Sequence, residues 1–171
     1  IGDLSFECGG VSIGFEICED AWVAVRPGAN LARRGIDILL NPSASHFAFD
    51  KVDVRKRFVL EGSRAFSTTY VYANLLGNEA GRAIYDGGAM VASGGRMLAV
   101  GPRFRFAEQL VTSAVVDVEA ARMEQARNVS FEPVVGAEAL QGVRCTFDYP
   151  PLEPQPQVLD VEGWELGEHR R

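Results

Sequence analysis

A chain of 171 residues, 47% hydrophobic and 23% charged, is long enough to bury a core in one domain and too apolar to be disordered. Its 17 basic and 23 acidic residues leave a net charge of −6, which argues against nucleic acid or an anionic membrane as the main partner. No apolar run reaches membrane-spanning length and no leader-type segment opens the chain. It starts at Ile1, already inside a strand-like run, so a piece of a longer protein is the expectation.

Leu4–Cys8 and Val11–Cys18 read as two strands joined by Gly9-Gly10, a hairpin signal. Pro27–Arg34 reads as a short helix, with Pro27 in its first turn and Gly35 as its stop. Ile36–Asn41 is an apolar strand ended by Pro42, and Asn41–Phe49 is a loop of small polar groups. A long helix follows over about Lys51–Ser67, with Asp50 as N-cap. Its expected inner face carries Val54, Phe58, Ala65 and Phe66, and Arg55, Lys56, Glu61 and Arg64 fall largely elsewhere. Tyr70–Leu75 is a strand and Gly77–Gly81 a turn. Ala83–Ser93 and Arg96–Gly101 form a second hairpin around Gly94, and Leu110–Val118 is a further strand. Val118–Arg127 is helical. Beyond Asn128 the pattern decays, and Phe147–Gln157, with four prolines, reads as an extended linker. The order implies a mixed α/β layered domain.

The candidate chemistry centres on Cys18, where an apolar run stops and Glu19-Asp20-Ala21-Trp22 follows. A thiol at a strand end can attack a carbonyl, and the Glu19 N–H can face the oxyanion that forms. The rival reading is a small buried hydrophobe. Glu16, Glu19 and Asp20 surround the thiol with negative charge, which opposes the thiolate, so an active Cys18 needs a cation or base from elsewhere. His46 is either that base or a surface loop residue, and His169 belongs to a charged, solvated tail. In the hairpin, seven residues at ~3.3 Å separate Cys8 from Cys18 by roughly 23 Å, well beyond disulfide reach. Three cysteines and two histidines supply neither a disulfide framework nor a zinc site, which favours a reducing compartment, the cytoplasm. In the loop after the third strand Ser45 could bind a polar group and Lys51 a carboxylate; the alternative is a turn serine and a surface charge. Asp86-Gly87-Gly88 is a turn or bulge, lacking the Lys-Ser/Thr of a phosphate loop.

Gly14-Phe15-Glu16-Ile17-Cys18-Glu19-Asp20-Ala21-Trp22, Leu40-Asn41-Pro42-Ser43-Ala44-Ser45, Tyr70-Val71-Tyr72-Ala73-Asn74 and Tyr85-Asp86-Gly87-Gly88 together resemble the nitrilase (carbon–nitrogen hydrolase) superfamily. Within it they resemble the glutaminase domain of glutamine-dependent NAD synthetases, over roughly Leu4–Val118. The resemblance implies about the second half of an α-β-β-α sandwich, with residues 1–128 as a partial domain and 129–171 as an arm toward an absent synthetase domain. It implies Cys18 as nucleophile, the Glu19 N–H as oxyanion donor, and Ser45, Lys51 and the Glu19 side chain as contacts to glutamine. The family's general-base Glu and catalytic Lys are expected upstream of this chain, and neither role passes to Glu16 or Lys56. No metal or cofactor is expected for the amidase part; ATP and magnesium would belong to the absent domain, which would receive the ammonia. The bare face of a half sandwich is expected to associate with the remaining half of the domain or with another copy, giving a homo-oligomer. A stand-alone amidase or nitrilase of another substrate, and a non-catalytic half-domain acting as an assembly module, are the rival functions.

Overall fold

The computed structural model describes residues 4–134 and 142–151. In chain order the elements are β1 (Ser5–Cys8), β2 (Val11–Phe15), a 3-10 turn (Cys18–Trp22), α1 (Pro27–Arg33), β3 (Ile38–Ser43) and α2 (Lys51–Ala65). They continue with β4 (Thr69–Asn74), β5 (Leu76–Glu79), β6 (Ala83–Asp86), β7 (Ala89–Ser93), β8 (Arg96–Val100), α3 (Val118–Arg127) and β9 (Gly142–Cys145). Seven strands form one sheet in the order β8-β7-β4-β3-β2-β1-β9, and β5 and β6 form a separate hairpin. The strands β2, β3 and β4 are parallel neighbours, so α1 and α2 serve as their crossovers.

Strand alternation divides the sheet into two apolar faces. On one, Leu39, Tyr70, Tyr72, Met90 and Ala92 pack against Leu31 of α1 and Val59 of α2, with Phe58, Leu60 and Phe66 around them. Full burial of a side chain such as Leu31, Leu39, Val59 or Met90 contributes about 1.5–3 kcal/mol. On the other lie Phe6, Ile13, Phe15, Ile38, Leu40 and Val71, in register and only half-buried. The fold is thus a mixed α/β layer with helices on one face and a second apolar face of the kind a two-sheet sandwich encloses.

Several elements depart from the sequence reading for local reasons. The first hairpin forms as expected, pairing Cys8 with Val11, but β2 ends at Phe15, three residues before Cys18. The strand β3 runs through Pro42 to Ser43. Its pairing with β2 ends at Leu40, so Pro42 sits where β3 has a strand on one side only and the missing N–H is tolerated. The expected Ala83–Ser93 strand is broken by Gly87 and Gly88, at φ of +69° and +93°, and its first part pairs with Leu76–Glu79 instead. Residues 110–117 form no strand; Thr112, Ala114 and Val116 are half-buried and Val111 and Val115 exposed. Asp50 makes no side-chain cap and sits at φ +61°.

The helix α3 keeps its expected bounds, capped by Asp117, which accepts from the Ala120 N–H at 2.9 Å. Among the described residues after Asn128 there is one further strand, β9, which pairs in parallel with β1 and sets Cys145 opposite Cys8. The proposed linker over Phe147–Gln157 is described only to Pro151, without regular structure, and His169 lies outside the described residues.

Candidate active site

Three parallel strands end side by side, and ligands of open α/β sheets bind at the carboxyl ends of such strands. Beyond β2 comes Cys18, beyond β3 the loop with Ser45 and His46, and at the end of β4 Asn74. Cys18 opens its turn at φ +49°, in the left-handed region that a side chain with a Cβ rarely occupies. Strain of this kind costs of order 1–3 kcal/mol and persists only where the surroundings impose it.

The residues that impose it lie on the helix side of the sheet. Glu16 is fully buried. Its backbone N–H donates to the Leu40 carbonyl at 3.1 Å, continuing β2 beyond its last ladder pair. Its carboxylate accepts from the Arg26 guanidinium, from the Tyr70 hydroxyl and from the Gly28 N–H. Tyr70 in turn accepts from Asn41 Nδ2 at 3.0 Å, which ties β4 to β3. Burial first, and then the neighbouring Glu16 carboxylate, push the Tyr70 phenol far above its usual range, so it remains a donor. Asp20 accepts from the Ile17 N–H at 2.7 Å and so closes the turn from the other side.

The charge conflict expected around Cys18 is eased at Glu16 and stands at Asp20 and Glu19. Glu16 is neutralised by Arg26, Asp20 is engaged with the backbone, and Glu19 is exposed. Positive charge arrives from α2. Lys51 Nζ donates to the His46 carbonyl at 3.1 Å and stands 5.5 Å from the centre of the Trp22 ring. Its pKa is lowered, first by burial and then by Arg55, while Cys18, Asp86 and Glu19 act on it in the opposite sense. The ammonium thus shares one electrostatic environment with the thiol and the Glu19 carboxylate.

The Ser45 loop is held from below by charges. Arg55 is 1% exposed and binds Asp86 through Nη1 at 2.8 and 2.9 Å. Its Nη2 donates to the Ser45 and His46 carbonyls at 2.9 and 3.2 Å. Asn74 clasps Ser45 from the strand side, accepting from its N–H at 2.8 Å and donating to its carbonyl at 3.0 Å. Burial would raise the Asp86 pKa, but hydrogen bonds from Arg55 and Arg103 outweigh it and hold the carboxyl below its usual range. Tyr72, also buried, faces this cluster, and burial raises its phenol.

Of the residues singled out from sequence, Cys18 and Glu19 lie in the turn whose Trp22 ring faces the Lys51 ammonium, and Ser45 lies on the adjoining loop, 6% exposed. His46 takes part through its backbone carbonyl, with an exposed ring position on the loop. Sequence reasoning missed Arg55 and Asp86. The buried stripe of α2 is Arg55, Val59, Gly62 and Ser63, one position away from the expected face, and Arg55 had been placed outside it. The spacing of 55, 59, 62 and 63 is itself helical, so the signal was present but masked by the charge. Cys8 offers a contrast: burial and the facing Cys145 raise its pKa, the reverse of what a nucleophile needs.

No protein-family model matches the chain. A glutamine-dependent NAD(+) synthetase of Oryza sativa subsp. indica is 33% identical over 121 residues, 71% of this chain and 16% of its own length. The crystal structure of a glutamine-dependent NAD(+) synthetase from Cytophaga hutchinsonii superposes with a TM-score of 0.56 at 43% identity, over 65% of this chain and 18% of that one. The carbon–nitrogen hydrolase of Helicobacter pylori G27 shares the fold, with a TM-score of 0.63 at 18% identity over 74% of this chain and 47% of its own. The chain spans less than a fifth of the length of each of these two synthetases.

Proposed function

We propose that this chain, which belongs to the glutamine-dependent NAD(+) synthetase branch of the carbon–nitrogen hydrolases, carries the nucleophile of a glutamine amidohydrolase centre. The observation that carries this reading is Cys18, held at φ +49° just beyond the carboxyl end of β2, in a turn whose Trp22 ring faces the Lys51 ammonium. Its sulfur attacks the side-chain amide carbon of glutamine, and the oxyanion that forms faces the Glu19 N–H. The C–N bond breaks, ammonia leaves with the proton taken from the thiol, and water then cleaves the thioester to glutamate. Lys51 meets the substrate α-carboxylate, the Glu19 side chain its ammonium, and Ser45 a polar group of the same amino-acid end. The general base and catalytic lysine come from a segment outside this chain, which also covers the face of Phe15, Leu40 and Val71. Ammonia passes to a synthetase domain that uses ATP and magnesium. We also place the protein in the cytoplasm, a reading supported by cysteines that remain unpaired.

The test is made in the full-length protein. Cys18→Ala should abolish ammonia release from glutamine and leave the thermal unfolding midpoint unchanged. A glutamine-analogue electrophile should add one label, at Cys18. Ammonia release that survives the substitution would overturn the mechanism.

A further inference from the structure

We propose that Arg55 and Asp86 are positioning residues, a buried clamp that fixes the Ser45–His46 loop and thereby sets the part of the site that binds the amino-acid end of the substrate. The inference rests on the function proposed above and deepens it.

A buried guanidinium is a poor way to attach a helix to a sheet. Apolar side chains of similar volume hold such a contact as well or better, because they carry no desolvation cost. The neighbours of Arg55 on the α2 stripe, Val59 and Gly62, already make that ordinary contact. What Arg55 adds is directed donors. One arm, Nη1, is spent on both oxygens of Asp86, and the other, Nη2, on two successive carbonyls, Ser45 and His46. The His46 carbonyl is also the acceptor for Lys51 Nζ.

Asp86 extends the clamp to β4 by accepting from Asn74 Nδ2 at 3.2 Å, and Asn74 takes both the N–H and the carbonyl of Ser45. Both polar backbone groups of Ser45 are thus committed, which fixes the direction in which its Cα–Cβ bond leaves the loop. The clamp also reaches Lys51, one turn before Arg55 on the same helix, through the shared His46 carbonyl. The cluster is separate from the one beneath Cys18: Glu16, Arg26 and Gly28 contribute no bond to Arg55 or Asp86 among the described residues.

The test compares Arg55→Met, Arg55→Lys and the exposed control Arg64→Met in the full-length protein. Losing charge-assisted bonds to the loop should raise the KM for glutamine about tenfold or more in Arg55→Met, with kcat changed less than about threefold. Arg55→Lys should fall between, since an ammonium can hold Asp86 or one carbonyl but cannot fork across both. Alkylation of Cys18 by iodoacetamide, which has no amino-acid end, should keep its wild-type rate. Backbone amides over 44–47 should exchange at least tenfold faster in Arg55→Met than in Arg64→Met. A folded Arg55→Met protein with wild-type KM and wild-type exchange overturns the proposal, as does an equal loss of KM, kcat and alkylation. Should Arg55→Met fail to fold, Arg55→Lys and the double substitution Arg55→Met/Asp86→Leu carry the same readouts. A wild-type protein that releases no ammonia from glutamine defeats the functional reading instead, and the exchange comparison then still decides the clamp.

Discussion

Glu16 and Asp86 are both buried carboxylates with every visible partner a donor, yet they secure different halves of the site in different electrostatic ways. Glu16 is matched by one guanidinium, Arg26, which lies over the Phe66 and Tyr70 rings, and the rest of its donors are neutral. That cluster is balanced in charge and locks the backbone leading into Cys18. Asp86 is matched by two guanidiniums, Arg55 and Arg103, and leaves one positive charge over. The surplus lies at the end of the site where Lys51 projects, and Arg55 contributes to lowering the Lys51 pKa. The thiol end is thus built for geometry, and the loop end for geometry together with a positive potential that suits a carboxylate.

The largest separation of the two clusters should come from Glu16→Ala. It strands a guanidinium that is 13% exposed beneath the Cys18 turn, and breaking a buried pair in this way costs about 3–5 kcal/mol. Urea unfolding should register that loss, and iodoacetamide labelling of Cys18 should change with it. A cost below about 1 kcal/mol would mean that Arg26 is held by its aromatic neighbours alone. Gly28→Ala should act on the same cluster without removing a charge. A Cβ there would lie 2.5 Å from Glu16 Oε2 and 2.7 Å from Leu39 Cδ2, an overpacking worth about 1–3 kcal/mol.

Asp86→Asn tests the other cluster and has a pH signature. Arg55 and Arg103 hold the folded-state carboxyl below its usual range, so the stabilisation is complete above the unfolded value of about 3.9 and is lost as pH falls through the lower folded value. At neutral pH the variant should be about 1–3 kcal/mol less stable than the parent. As pH falls from about 4 through that lower folded value the two unfolding curves should converge, because the parent then loses its own charge. A gap that stays constant into acid would remove the ion pair from the account.

The two clusters also differ in how far the sequence disclosed them. The Cys18 turn was legible because an apolar run followed by Cys-Glu-Asp-x-Trp is a local pattern, and the bounds of α3 followed from local helix propensity. Pro42 misled because its tolerance depends on where a neighbouring strand stops, which is a tertiary fact. Arg55 misled because a charged residue reads as surface until its partner is known, and Asp86 lies 31 residues away behind a hairpin. Strand β9 was hidden for the same reason, since its partner β1 lies at the opposite end of the chain.

The smallest effect should come from Arg103→Ala, and it sharpens the comparison most finely. Arg103 reaches Asp86 at 2.8 Å, the same separation as Arg55, so distance alone makes them equals. Exposure does not: the Arg103 side chain is 31% exposed and Arg55 only 1%. Water can replace much of what Arg103 supplies, which limits the cost to about 1 kcal/mol. Arg103 also makes no bond to the Ser45 or His46 carbonyls among the described residues, whereas Arg55 binds both. Its removal should therefore leave the KM for glutamine within about twofold of the parent and should lower the melting temperature only slightly. If Arg103→Ala raised the KM as much as Arg55→Met, the loop would be governed by the charge on Asp86 and not by the fork of donors from α2, since charge is the only thing the two arginines share.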